Sequence, residues 1–433
     1  MAGDRDRVVV HLDAAEIGPR QAVGALAREQ VAAKSVISFA YEPDWVAAPA
    51  SFSLDPSLPL YEGEQYPPAL PGIFADAAPD RWGRTLLERR EALAARREGR
   101  RQRRLDDWDC LVGVSDRTRM GALRFARASG GAFVDDGELT IPPSTQLRDL
   151  ERWARELEHG LPKEAMSEEE RWITTLIAPG SSLGGARPKA SFLDDGTLWI
   201  AKFPSTEDRH DVGGWEYVVS RLAADAGIEV PETRLLRLGS PYRTFCARRF
   251  DRLGESRRLY ASAMTLAGRR DHEDAGYLDV ARAIVDHGDP AAIEDDLQQL
   301  FRRVVFNVLT ADRDDHLRNH GFLHQQGDSW TLSPAFDLNP NPAPGPKDLS
   351  TAIDYDDTRA SVRTLLNVAG YFRLDASSAL AVLAKVAQAT ANWRRVAESH
   401  GLTQRDIDDM EPAFEHAEAG QAIALAKGLA HPA

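Results

Sequence analysis

Cysteine is nearly absent from this sequence: Cys110 and Cys246 are the only two in 433 residues. They stand far apart and belong to no CxxC or Cys/His cluster. That argues against a disulfide scaffold and a thiolate zinc site, and it fits a reducing compartment. Long hydrophobic runs are missing too. No stretch approaches the roughly 18 apolar residues of a membrane span, so no membrane association is expected. Val8-Val9-Val10 meets His11 and Asp13 before it can make the apolar core of a signal peptide, and a cytoplasmic protein is the expectation. Positive charge is in deficit: 53 Lys plus Arg against 67 Asp plus Glu, a net charge of −14. A polyanion-binding surface over the whole protein is thereby disfavoured, while a local basic patch remains possible. With 43% hydrophobic and 28% charged residues, the composition excludes wholesale disorder and fibrous repeats. The length suits two or three domains of roughly 100–200 residues.

Residues 1–145 are expected to form a β-rich N-terminal subdomain. Val8 to Val10 and Val36 to Tyr41 read as strands. Pro43 to Pro71 reads as loop and edge strand, because proline removes ladder donors. A helix is expected from Thr85 into the arginine-dense segment Arg89–Arg104, which is rich in Ala and Glu. Those arginines are either a docking surface for nucleic acid or an acidic protein, or a solvated helix face. A helical pattern with Leu147, Leu150, Trp153 and Leu157 on one face opens a second region, 146–255. There Lys189–Leu193 and Thr197–Phe203, joined by Asp194-Asp195-Gly196, predict a hairpin. A helix over Trp215–Ala226 and strands over Arg234–Leu238 and Tyr242–Arg249 follow. The remainder, 256–433, is mostly helical apart from a hairpin near Gly321–Leu332. The fold class expected is α+β, a β-rich front followed by a helical lobe.

Three places carry chemistry. Gly180-Ser-Ser-Leu-Gly-Gly-Ala-Arg-Pro-Lys189 is a small-residue loop entering a strand, and Gly184 and Gly185 let backbone N–H groups approach an anion closely. It is not a Walker A loop, since Ala186 stands where that motif demands lysine. Any tight turn would look similar. Lys202, at the far end of the hairpin, can return beneath that loop to pair with phosphate, with Glu216 as its ion-pair partner. The same lysine also suits an exposed strand position. The third place is Asp314-Asp-His-Leu-Arg-Asn319, followed across a short hairpin by Asp337. Protein kinases place a base Asp five residues before a Mg²⁺-binding Asn. Asp312 lies seven residues from Asn319 and Asp315 four, so spacing selects Asp314. Alone, this segment is equally an acidic loop with Asn319 capping a turn. Together, glycine loop, lysine, glutamate, Asp-x₄-Asn and a later Asp stand in the order of a site for ATP and Mg²⁺.

Across nearly its whole length the chain resembles the HipA family of toxin kinases, the toxin half of bacterial toxin–antitoxin pairs. The resemblance rests on Asp76-Ala-Ala-Pro-Asp-Arg-Trp-Gly-Arg84, on Gly113 to Phe125, and on Ser182-Leu-Gly-Gly-Ala-Arg-Pro-Lys189. Arg249-Phe-Asp-Arg252, Asp314 to Asn319 and Leu332-Ser-Pro-Ala-Phe-Asp337 complete it. It implies a two-lobed protein-kinase-like fold that uses ATP and Mg²⁺ to phosphorylate a protein Ser or Thr. Asp314 would be the catalytic base, Asn319 and Asp337 the metal ligands, and Lys202 a phosphate contact. The loop with Gly184 and Gly185 would cover the phosphates, and Ser182 or its neighbour Ser181 would be autophosphorylated. The implied partners are a separate helix-turn-helix antitoxin, operator DNA reached through it, and a protein substrate such as an aminoacyl-tRNA synthetase. The arginine segment would then face that DNA or the antitoxin. Arg248 departs from the glutamate of many relatives, Cys246 and Ala247 suit an adenine wall, and His316 suits a loop-orienting role. Two other readings are a small-molecule kinase on the same scaffold and a non-catalytic co-repressor.

Overall fold

The computed structural model describes residues 6–31, 34–128, 130–134, 141–159, 176, 185, 187–271, 273–355 and 357–430. Its N-terminal part is an antiparallel sheet in the order β4-β3-β2-β1-β5. These strands span Arg7–Leu12 (β1), Gln21–Val31 (β2), Lys34–Tyr41 (β3), Glu64–Gln65 (β4) and Leu123–Ala126 (β5). The β-branched runs of β1 and β3 are where the sequence puts them. The longest strand, β2, was not expected, because its Ala and Gly content gives it little β-propensity. Its small residues are a packing requirement. A Cβ on Gly24 would lie 2.4 Å from Phe39 Cζ and 2.6 Å from the Ala40 carbonyl oxygen. Gly24→Ala is therefore expected to lower unfolding free energy by about 1–3 kcal/mol, read from the denaturant midpoint.

The helix between β4 and β5 that leads into the arginine run starts four residues earlier than Thr85. It spans Arg81–Arg97, and the Asp80 carboxylate caps it by accepting from Gly83 N at 2.8 Å. The helix also ends sooner than expected: Gly99 takes φ +63°, and Arg101 to Arg104 run outside any helix. Part of the arginine run folds back on its own acids. Arg100 pairs with Glu91 and with Glu98, while Arg96, Arg101, Arg103 and Arg104 stay exposed.

The buried face of this helix (Trp82, Leu86, Leu87, Leu93) packs against Leu147 and Leu150 of the Leu147–His159 helix and the back of a second sheet. That sheet has the antiparallel order β6-β7-β9-β8, from Lys189–Asp194 (β6), Thr197–Lys202 (β7), Thr233–Leu236 (β8) and Thr244–Arg248 (β9). The expected hairpin is there, in register from Lys189 opposite Lys202 to Asp194 opposite Thr197. Across its front lies the Val212–Asp225 helix, whose buried residues include Trp215, Val218 and Leu222.

A two-stranded ribbon, Arg252–Leu253 (β10) and Ser256–Arg257 (β11), leads into the helical lobe. There the Ile293–Thr310 helix is buried along most of its length and ends on Ala311 in the left-handed conformation. The chain then runs through Asp312–His320 into a small sheet of Tyr260–Ser262 (β12), Gly321–His324 (β13) and Trp330–Leu332 (β14). Among the described residues no helix is long and apolar enough to cross a membrane.

Candidate active site

Lys202 closes β7 with its side chain on the front of the sheet, and two acids meet it there. Its Nζ lies 2.5 Å from Glu216 Oε1, on the Val212–Asp225 helix, and 2.5 Å from Asp337 Oδ1, beyond β14. The structure thus unites residues from three elements, 135 positions apart at the extreme. Burial disfavours the Lys202 charge, but Asp337 and Glu216 more than offset it and hold the ammonium above its ordinary value. Burial also opposes ionisation of Asp337, yet Lys202 and then Lys189 bring its carboxyl down to about 2. Glu216 moves the other way: burial pushes it up despite Lys202, with Asp337 adding repulsion. Asp337 is thus held as a carboxylate, the state a metal ligand needs. It adopts φ +60°, and Asn339 Nδ2 donates to its carbonyl and to Oδ1 at 3.1 and 3.3 Å.

Three neighbouring acids compete by sequence for the role of base, and tertiary contacts separate them. Asp315 is buried and saturated: its Oδ2 accepts from Tyr277 Oη and Asn307 Nδ2, both at 2.7 Å, and meets His320 Nε2 at 2.8 Å. Asp312 is buried as well, accepting from Asn339 N at 2.9 Å and Asp314 N at 3.4 Å. Burial, with Asp315 beside it, pushes Asp312 well above the usual carboxylate range. These two brace the loop. Asp314 is the exposed one.

Asn319 donates through Nδ2 to the Asp314 carbonyl at 3.4 Å, and its Oδ1 is buried with no hydrogen-bond partner among the described residues. A buried carbonyl oxygen left open in this way is unfavourable unless a ligand completes it. No three His, Cys, Asp or Glu side chains group as a metal site among the described residues. The donors on offer are an amide oxygen and an ionised carboxylate, Asn319 and Asp337. Hard oxygens in that number fit Mg²⁺ that completes its shell with phosphates and water.

Lys202, Glu216 and Asp337 form the polar end of an open, mostly apolar pocket. Ile200, Phe245 and Ala247 line it from the sheet, and Phe250, Phe336 and Leu338 from the connection and the helical lobe. An apolar slot with a few convergent polar groups is the usual form of a small-molecule or cofactor site. Arg248 also lines it, but Cys246 does not. The strand alternation turns Cys246 to the back, fully buried in the cluster with Trp199 and Phe192, where burial pushes its thiol up to about 12. The Cys246–Ala247 wall of the sequence reading is thus corrected to Phe245 and Ala247, a pair that the period of two alone would have found. Gly185 sits at the mouth of β6 with φ +96°; Gly184, Ser181 and Ser182 lie outside the described residues.

The profile of the HipA N-terminal domain matches residues 18–126, and that of the HipA-like C-terminal domain matches 181–394. The chain belongs to the HipA family. The HipA fold extends over its whole length: the chain is similar to HipA of Shewanella oneidensis, solved with HipB and operator DNA, with a TM-score of 0.64 at 18% identity, covering 97% of this chain and 96% of that one. The α+β, two-lobed kinase-like fold is therefore established. Sequence relatives match shorter stretches. A protein of Haemophilus influenzae named as a candidate kinase is 23% identical over 182 residues, covering 37% of this chain. A second, from Sinorhizobium fredii, is 27% identical over 157 residues, 33% of this chain. The matches span 52% and 37% of those relatives' own lengths.

Proposed function

We propose that this HipA-family chain is an ATP- and Mg²⁺-dependent protein serine/threonine kinase acting as the toxin of a toxin–antitoxin pair. The observation that carries the reading is Lys202 held between Glu216 and Asp337 at the polar end of an apolar pocket. In this reading the cavity takes the base, Lys202 neutralises phosphate oxygens, and Glu216 keeps the ammonium in place. Asn319 and Asp337 would hold Mg²⁺, which would supply charge neutralisation for the transferred phosphoryl group. Asp314 accepts the proton of the attacking hydroxyl; its exposure suits a protein side chain arriving from outside. Ser182, with Ser181 beside it, is the proposed autophosphorylation site. The proposed partner is a separate helix-turn-helix antitoxin through which operator DNA is reached, as the HipB-bound relative suggests.

The test is transfer from [γ-³²P]ATP with Mg²⁺, resolved by gel and by thin-layer chromatography. Label is expected on the wild-type protein itself, mapping to Ser181 or Ser182, and none on Asp314→Asn. Label confined to a small molecule would favour the metabolite kinase. A wild type that takes no label, and whose intact mass carries no phosphate, would remove the catalytic reading in favour of the co-repressor.

A further inference from the structure

The glycine loop enters β6 through Gly185 and Lys189, and both of these residues meet groups from elsewhere in the chain. Here one end is held from outside both kinase lobes. Lys189, the first residue of β6, lies directly opposite Lys202, and opposed residues of an antiparallel pair project to the same face. The two lysines divide the local acids. Lys202 takes Glu216 and Asp337, whereas Lys189 Nζ lies 2.7 Å from Asp80 Oδ2 and donates to the Gly185 carbonyl at 3.3 Å. The Lys189 and Asp80 side chains are 1% and 4% exposed. Asp80 caps the Arg81–Arg97 helix of the N-terminal part with its other oxygen, and the helix packs on the back of the sheet. Two residues on, Trp82 repeats the grip: its Nε1 donates to the Lys189 carbonyl at 3.0 Å and its backbone N to the Gly185 carbonyl at 3.4 Å. Gly185 suits this arrangement, since its φ is +96° and a Cβ would lie 3.3 Å from Lys189 Nζ.

We infer that Asp80 and Trp82 are positioning residues for ATP: through Lys189 they fix the end of the glycine loop, so nucleotide affinity depends on the N-terminal subdomain. Buried ion pairs add little net stability but orient the groups around them, and this one sits where orientation matters. The inference rests on the kinase reading above.

The experiment measures binding of a fluorescent ATP analogue, and KM for ATP against kcat, in the full chain. The variants are Asp80→Asn, Trp82→Phe, Lys189→Met and Lys189→Arg, with thermal unfolding followed in parallel. Asp80→Asn and Lys189→Met are expected to raise KM and the analogue's Kd about tenfold, the scale of one charge-assisted hydrogen bond. Their double variant should be no weaker than Lys189→Met alone, and Lys189→Arg should recover part of the loss. Trp82→Phe keeps the packing and removes one donor, so it should fold and still raise KM. Folded variants with wild-type KM and Kd would overturn the inference while leaving the kinase reading intact. A wild type that binds no nucleotide would overturn both.

Discussion

Asp337→Asn is expected to slow phosphoryl transfer by about 10³-fold while the protein stays folded. The amide keeps the shape of the side chain and its place beside Asn339, but it removes the negative charge that pairs with Lys202 and that, in the proposed mechanism, would hold Mg²⁺. Lys202 is left with Glu216 alone, at 2.5 Å, so the ammonium remains anchored and the cavity keeps its form. The loss should therefore appear mainly in kcat, with less change in nucleotide affinity at saturating Mg²⁺. Single-turnover transfer and analogue binding, measured on the same preparation, separate the two. Transfer retained at more than about a tenth of the wild-type rate would exclude Asp337 from the role that mutational precedent gives a preorganised charge.

Asp251→Ala is expected to cost roughly 3–5 kcal/mol of unfolding free energy, the most damaging single change outside the site. Asp251 is fully buried and accepts from Arg249 Nε at 2.7 Å, Arg249 Nη2 at 2.6 Å, Arg252 Nη1 at 2.5 Å and Gly121 N at 2.8 Å. Arg249 reaches on to the Thr118 carbonyl and Arg252 to that of Arg119. Removing the carboxylate strands two guanidinium groups, and it unpins the β9–β10 connection from the N-terminal segment beneath it. Burial opposes the Asp251 charge, but Arg249 and Arg252 overcome it and hold its carboxyl far below the usual range. A depressed carboxylate stabilises above its unfolded pKa of about 3.9, and the contribution fades as pH falls toward the folded value. The gap between wild type and Asp251→Ala should thus be constant near neutrality and narrow below about pH 4, in denaturant titrations at several pH values. A gap under about 1 kcal/mol at neutral pH would show the network to be ornamental.

Arg249-Phe-Asp-Arg252 and Gly113 to Phe125 look like separate motifs in the chain; their contact across 130 residues, Gly121 to Asp251, makes them one network. The same limit separates what was legible in this protein from what was not. Hairpins showed themselves because turn chemistry and strand period are local, as in Asp194-Asp195-Gly196. Strand β2 did not, because its Ala and Gly residues have little β preference of their own, and Gly24 is there for the space Phe39 leaves. The arginine segment looked uniformly helical until Gly99 ended the helix and Glu91 turned inward to meet Arg100.

Sequence by itself determined the family, the α+β fold class, and a set of polar residues in the order of a kinase-like site. These follow from residue type and separation along the chain, which need no third dimension. Tertiary structure alone decided which acids are scaffold and which is free. Asp312 and Asp315 are buried against partners at Asn339, Tyr277, Asn307 and His320, leaving Asp314 at the surface. It also decided that Lys202 is shared by two carboxylates and that Asp80 reaches Lys189 from another part of the molecule, 109 positions away. Burial and long-range pairing set the charge state of each group, and neither is written in local spacing.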